Sequence, residues 1–141
     1  MGYCTQQDLV DRFGQAELVQ LTDRTNKPAT TVDADVVTRA VEDAASLIDG
    51  YLKKAYALPL STVPGILTKI SADIARYFLN GRAAEKGSPV ELAYRDALNW
   101  LNNVGSGVVI LDSAGVAPTG SGASEVRTNE PERVFTADTM Q

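Results

Sequence analysis

DGYLKKAYALPLSTVPGILTKISADIARYFL, residues 49–79, decides the fold. It opens on the end of a helix at Asp49-Gly50-Tyr51-Leu52 and continues through an extended Tyr56-Ala57-Leu58-Pro59-Leu60 link. The ring of Pro59 clashes with helical backbone at Leu58, so the link stays extended. Pro64 stands where a second helix can begin, because its missing N–H would go unpaired there anyway. Two amphipathic helices joined in this way carry Leu58 and Leu60 into a core or onto a partner. The stretch holds no catalytic device, which points to packing and assembly.

Upstream, Thr5 is placed to cap a short helix with Asp8 three residues on. Leu9, Val10 and Phe13 form its apolar side, Gly14 ends it, and a further turn or two spans Ala16 to Leu21. The polar run Thr22–Thr31 contains Lys27-Pro28 and reads as a loop. Asp33 caps the next helix, where Val37, Val41, Ala44, Ile48, Tyr51 and Ala55 recur at spacings of three and four. Gly50, inside that pattern, marks either a close helix approach or a bend. The helix after Pro64 aligns Leu67, Ile70, Ile74, Tyr77 and Phe78, with Gly81 as its stop. Ser88-Pro89-Val90-Glu91 is the clearest start signal in the chain, a capping box with proline in the first turn. Val90, Tyr94, Ala97, Leu101 and Val104 follow on one stripe, and Asn103 and Gly105 close the helix.

Val108-Val109-Ile110-Leu111 is β-branched and reads as one short β segment, which needs a pairing partner elsewhere. Beyond Asp112 the chain is rich in Gly, Ser, Thr, Pro and Glu, a composition that cannot fold alone. The fold class is therefore mostly α: a small helical bundle with an N-terminal helical hairpin, one short β segment and a flexible C-terminal arm. Residues 1–106 form the helical domain, and residues 107–141 hold the β segment and arm. Ile48, Ile74 and Leu101 belong to its core. The aromatic set Tyr51, Tyr77, Phe78, Tyr94 and Trp100 reads as core packing rather than a ligand box.

A chain of 141 residues suits one domain with a sizeable core. No apolar run approaches the ~18 residues of a membrane span, and the N-terminus lacks a secretory pattern. The expectation is a protein without membrane contact, held in a host cytoplasm. Histidine is absent and Cys4 is the single cysteine. No Ser-His-Asp or Cys-His set can be assembled, and Cys4 reads as a small packing or surface residue. Asp33-x-Asp35 lacks the further ligands of a calcium loop, so it reads as helix capping. No cofactor or enzymatic activity is expected. The net charge is -5, with 7 basic and 9 acidic groups in residues 1–70 and 6 and 9 in residues 71–141. Without a basic patch, the chain does not grip DNA. Lys53-Lys54 favours the end of its helix electrostatically.

The chain resembles the phage head–tail connector family of the Mu-like type. The matching elements are Thr5, Asp8-Leu9, Arg12-Phe13, Glu17-Leu18 and Leu21-Thr22-Asp23 at the start. In the middle they are Ile48 to Leu52, Leu58-Pro59-Leu60, Val63-Pro64 and Asp73 to Tyr77, and the likeness spans roughly residues 3–104. It implies a virion neck protein forming a homo-oligomeric, dodecameric ring between the portal protein and a tail or tail-completion protein. DNA would pass through that ring without specific binding. Surfaces for such contacts are Leu58 and Leu60, and the Val134-Phe135 patch on the arm. Arg76 either pairs with an acid across a subunit boundary or extends to solvent. The competing reading is a small helical regulatory protein that binds another protein.

Overall fold

The computed structural model describes residues 2–111. Five α-helices occur in this span: α1 Gln6–Phe13, α2 Gln15–Thr22, α3 Ala34–Leu52, α4 Gly65–Asn80 and α5 Pro89–Gly105. A short 3-10 turn, Gly81–Ala83, follows α4. The architecture is a mostly helical small bundle. The longest helices, α3, α4 and α5, pack on one another, and the α1–α2 hairpin lies against α3 and α4.

Capping chemistry sets the helix starts. The Thr5 hydroxyl accepts the Asp8 N–H at 3.2 Å, and the Asp8 carboxylate accepts the Thr5 N–H at 2.8 Å. This reciprocal box satisfies two donors that the first turn cannot bond internally. Gly14 turns the chain from α1 into α2 at φ 90°, a backbone region that a Cβ disfavours. At α3, the Asp33 carboxylate accepts the N–H groups of Asp35 and Val36. Pro64 caps α4, so the helix itself starts one residue later, at Gly65. At α5 the Ser88 hydroxyl accepts the Glu91 N–H at 3.3 Å. The Glu91 carboxylate, however, reaches Gly87 N–H at 3.2 Å, displacing the expected return bond by one residue.

The 23–33 loop, featureless in the sequence, is built around one carboxylate. Asp23 accepts N–H groups from Thr25, Asn26, Thr30 and Thr31 at 2.9–3.2 Å. These bonds, led by that from Thr30, hold its carboxyl far below the usual range. Thr22 closes the same loop from inside. Its buried hydroxyl donates to the Leu18 carbonyl at 2.7 Å and accepts the Asp33 N–H at 3.0 Å.

The core is mainly aliphatic, with Tyr56 and Cys4 also buried in it. Leu9, Leu18, Ile48, Leu52, Leu67, Ile74, Leu101 and Val104 are essentially inaccessible, as are Ala44, Ala72 and Ala75. The aromatic set packs on this core, as expected, with Tyr51, Phe78, Tyr94 and Trp100 against it. Tyr51, Tyr77, Phe78, Tyr94 and Trp100 are all half-buried and flank the aliphatic centre. Tyr77 of α4 and Tyr94 of α5 stack with centroids 3.9 Å apart. Gly50 is not the point of close approach, since a Cβ there would meet nothing within 4 Å. Gly105 is: a Cβ on it would lie 3.0 Å from the Tyr51 carbonyl oxygen.

The β segment is corrected. Residues 107–111 form no strand; the backbone leaves α5 through a turn and runs irregularly. The Val109 N–H returns to the Asn103 carbonyl at 3.1 Å, and the Leu111 N–H donates to the Tyr56 hydroxyl at 2.8 Å. Helix-end and side-chain acceptors thus take the bonds that a paired strand would supply. The alternation survives in burial, with Leu111 inside while Val108 and Ile110 stand 76% and 72% exposed. The arm predicted from residue 113 onward lies outside the described residues.

Leu101→Ala removes a fully buried side chain and is expected to cost about 2–5 kcal/mol, read from denaturant midpoints. Asp23 sets a second expectation. A carboxyl whose folded value is depressed contributes stability above its unfolded value of about 3.9 and loses it as pH falls through the folded value. The Thr30 amide shift, followed by NMR during acid titration, should therefore change only well below about pH 3.9. In Asp23→Ala that transition disappears and the Thr30 and Thr31 amides exchange rapidly.

Candidate functional site

The link between α3 and α4 is held down at one point. Tyr56 is buried, its N–H bonds the Leu52 carbonyl at 2.8 Å, and its hydroxyl receives Leu111. From that anchor the chain rises through a cis Leu58–Pro59 bond towards Pro64. Leu58 and Leu60 are half-buried against the core and Val63 is 42% exposed. With Pro59 they line one side of an open groove of about 360 Å³. Gly2, Tyr3 and Asp49 line the other side.

The polar end of the groove is a phenol–carboxylate pair. The Tyr3 hydroxyl donates a hydrogen bond to Oδ1 of Asp49, tying the N-terminus to the last turns of α3. Burial, then the bond and charge of Asp49, push the Tyr3 hydroxyl well above its ordinary value, so it stays protonated. Among the described residues Oδ2 of Asp49 makes no hydrogen bond, and Asp49 joins no ion pair. The groove therefore offers an apolar wall with one carboxylate at its edge. That arrangement suits seating an apolar side chain beside a cation or donor.

Of the residues proposed from sequence, Leu58 and Leu60 come together in this groove. Arg76 does not. It projects from α4 onto the α1–α2 hairpin, where its guanidinium meets Glu17 at 2.6 Å and lies 4.3 Å from the Phe13 ring centroid. Arg76 thus has an acidic partner within its own subunit, an arrangement absent from both readings offered for it. Val134 and Phe135 lie outside the described residues. Tyr3, Asp49, Tyr56 and Val63 were not singled out as site residues. Asp49 and Tyr3 are 46 positions apart, and no local spacing announces their bond.

Cys4 is buried in the core, where the Ser71 hydroxyl donates to its sulfur at 3.3 Å. Burial raises its thiol above the ordinary value, which disfavours the reactive thiolate. Among the described residues no three His, Cys, Asp or Glu side chains converge as metal ligands. No helix there is long and apolar enough to cross a membrane.

The model of the family described as "Bacteriophage Mu, Gp36" matches residues 3–129, nearly the whole chain. The chain belongs to this family. It is 30% identical over 134 residues to "Gene product J" of Escherichia phage Mu, with 93% of each chain covered. It is 35% identical over 109 residues to the "Mu-like prophage FluMu protein gp36" of Haemophilus influenzae, covering 77% of this chain and 74% of that protein. Of the resemblance noted from the sequence, the Mu-like phage part is shown by these matches, and the chain is a Mu-like phage protein.

The Arg76–Glu17 contact should behave as an internal tie. A double-mutant cycle with Arg76→Met and Glu17→Gln, read by chemical denaturation, is expected to give a coupling of about 0.5–1 kcal/mol. A coupling of zero would leave Arg76 available to an external partner.

Proposed function

We propose that this chain is a structural subunit of the phage neck, assembling as a homo-oligomeric ring that joins the capsid portal to the tail. Membership of the Mu Gp36 family along residues 3–129 carries the reading. The geometry agrees with a mechanical role. The helical body is held by ordinary aliphatic packing, and the half-exposed Leu58-Pro59-Leu60 wall is a surface for protein contact. The net charge of -5 suits a channel through which DNA slides without being gripped. In this proposal the ring is dodecameric, the subunit is not an enzyme, and its neighbours are the portal protein and a tail or tail-completion protein. The body and the segment from residue 107 onward then have separate tasks, the one building the ring and the other reaching neighbours. The protein would reside in the host cytoplasm until assembly places it at the virion neck.

Subunits of such a ring need not associate when free, because a portal template raises their local concentration. The decisive experiment is genetic, in a phage carrying this gene. Removing the gene should yield DNA-filled or leaking heads and separate tails, scored by electron microscopy and infectivity. Complete infectious particles would end the connector reading. Deleting residues 113–141 should block joining in the same way while leaving the helical circular dichroism signal in place.

A further inference from the structure

We infer that the outer face of α3, between the N-terminal segment and the 58–63 link, is a docking trough for a protein segment that sets a lysine or arginine beside a large apolar side chain. The inference rests on the proposed contact role of the Leu58-Pro59-Leu60 wall and names what that wall receives. The groove described above does not stop at Asp49. Asp49 and Gly2 also line a second depression of about 320 Å³, together with Glu42 and Ser46. Glu42 and Gly2 in turn line a third, of about 210 Å³, with Thr38, Val41 and Gln6. Glu42, Ser46 and Asp49 are spaced by four and three residues and so share one helix face. Depressions joined by shared residues make one trough along α3. From Thr38 to Asp49 the helix rises about 17 Å, the length of about five residues of extended chain.

The N-terminal segment is a fixed wall of this trough. Tyr3 is bonded to Asp49, and Cys4 is buried in the core against Ser71. Gly2 lies so near α3 that a Cβ on it would fall 2.7 Å from Cγ1 of Val41. Any side chain at position 2 would lift the segment or displace Val41. The polarity of the trough names its occupant. One end is apolar, with Leu58, Leu60 and the 42% exposed Val63. The middle holds the carboxylates of Asp49 and Glu42, neither of which joins an ion pair among the described residues. Among the described residues no lysine or arginine lines any of the three depressions. Carboxylates without a counter-charge attract a cationic side chain and repel phosphate, which favours a protein segment over nucleic acid. An apolar anchor at the link, with a cation one or two residues away, satisfies both parts of the trough.

Panning a displayed library of random heptapeptides on the full-length chain, immobilised through its C-terminus, tests this. Winners are expected to carry Arg or Lys within two residues of a large apolar side chain, and to shift the amides of Gly2, Tyr3, Glu42 and Val63 in NMR spectra. Two variants at exposed positions separate the two parts of the trough. Val63→Gln should weaken the best peptide at least threefold. Glu42→Lys/Ser46→Lys, which keeps both partners of the Tyr3–Asp49 bond, should weaken it at least tenfold and should select peptides with Asp or Glu in the cationic position. Circular dichroism of each variant ensures that the comparison is made between folded chains. Winners without a cation, winners bound equally by both variants, or no enrichment at all would overturn the trough. Oligomers of the free chain that Glu42→Lys/Ser46→Lys dissolves would overturn the occupant and give the trough to a second copy. None of these outcomes bears on head–tail joining, which the gene deletion scores separately.

Discussion

Close contact between α3 and α4 is the constraint on which the other elements depend. Their buried faces carry Ala40, Ala44 and Ala45 on one side and Ala72 and Ala75 on the other, with Ile48 and Ile74 among them. Small side chains let helix axes approach and gain dispersion along the whole line of contact. α5 packs against the pair with Gly105 at its closest approach, where a Cβ would lie a tight 3.0 Å from the Tyr51 carbonyl oxygen. Tyr77, Phe78 and Tyr94 gather at the seam between α4 and α5. The α1–α2 hairpin closes the remaining side through Leu9 and Leu18, with the Arg76–Glu17–Phe13 cluster at its rim.

Most of this body is legible in the sequence because its signals are local. Thr5 with Asp8, Asp33 and Ser88-Pro89 mark three helix starts, and Gly14 and Gly81 mark two ends, each within a residue of where it falls. The spacing of Val37, Val41, Ala44 and Ile48 gives the buried face of α3 correctly. What eludes a linear reading depends on distance. A run of β-branched residues at 108–111 suggests a strand, yet the nearby Asn103 carbonyl and Tyr56 hydroxyl satisfy its backbone instead. Arg76 sits in a helix whose sequence says nothing of α1 and α2, so its partner Glu17, 59 positions away, appears only in three dimensions. Asp23 looks like any loop acid until the chain folds Thr30 and Thr31 back onto it.

The candidate site follows the same division. Leu58 and Leu60 stand out because Pro59 disfavours helix at Leu58, leaving two large apolar side chains on a link. The carboxylate that completes the groove is invisible at that level, since Asp49 reads as one more residue in the last turns of α3. Its role emerges when the N-terminal Tyr3 crosses over to it. The family likeness, by contrast, lies in the order of many weak elements along the chain rather than in any single residue.

The bond from Leu111 to Tyr56 also decides how the molecule carries tension. A pull on the chain beyond residue 111 meets the buried Leu111 side chain and the Tyr56 hydroxyl before it can peel the last turn of α5. Load passes sideways into the link and, through the Tyr56–Leu52 backbone bond, along the axis of α3. The end of α5 is thereby shielded from the first share of that pull.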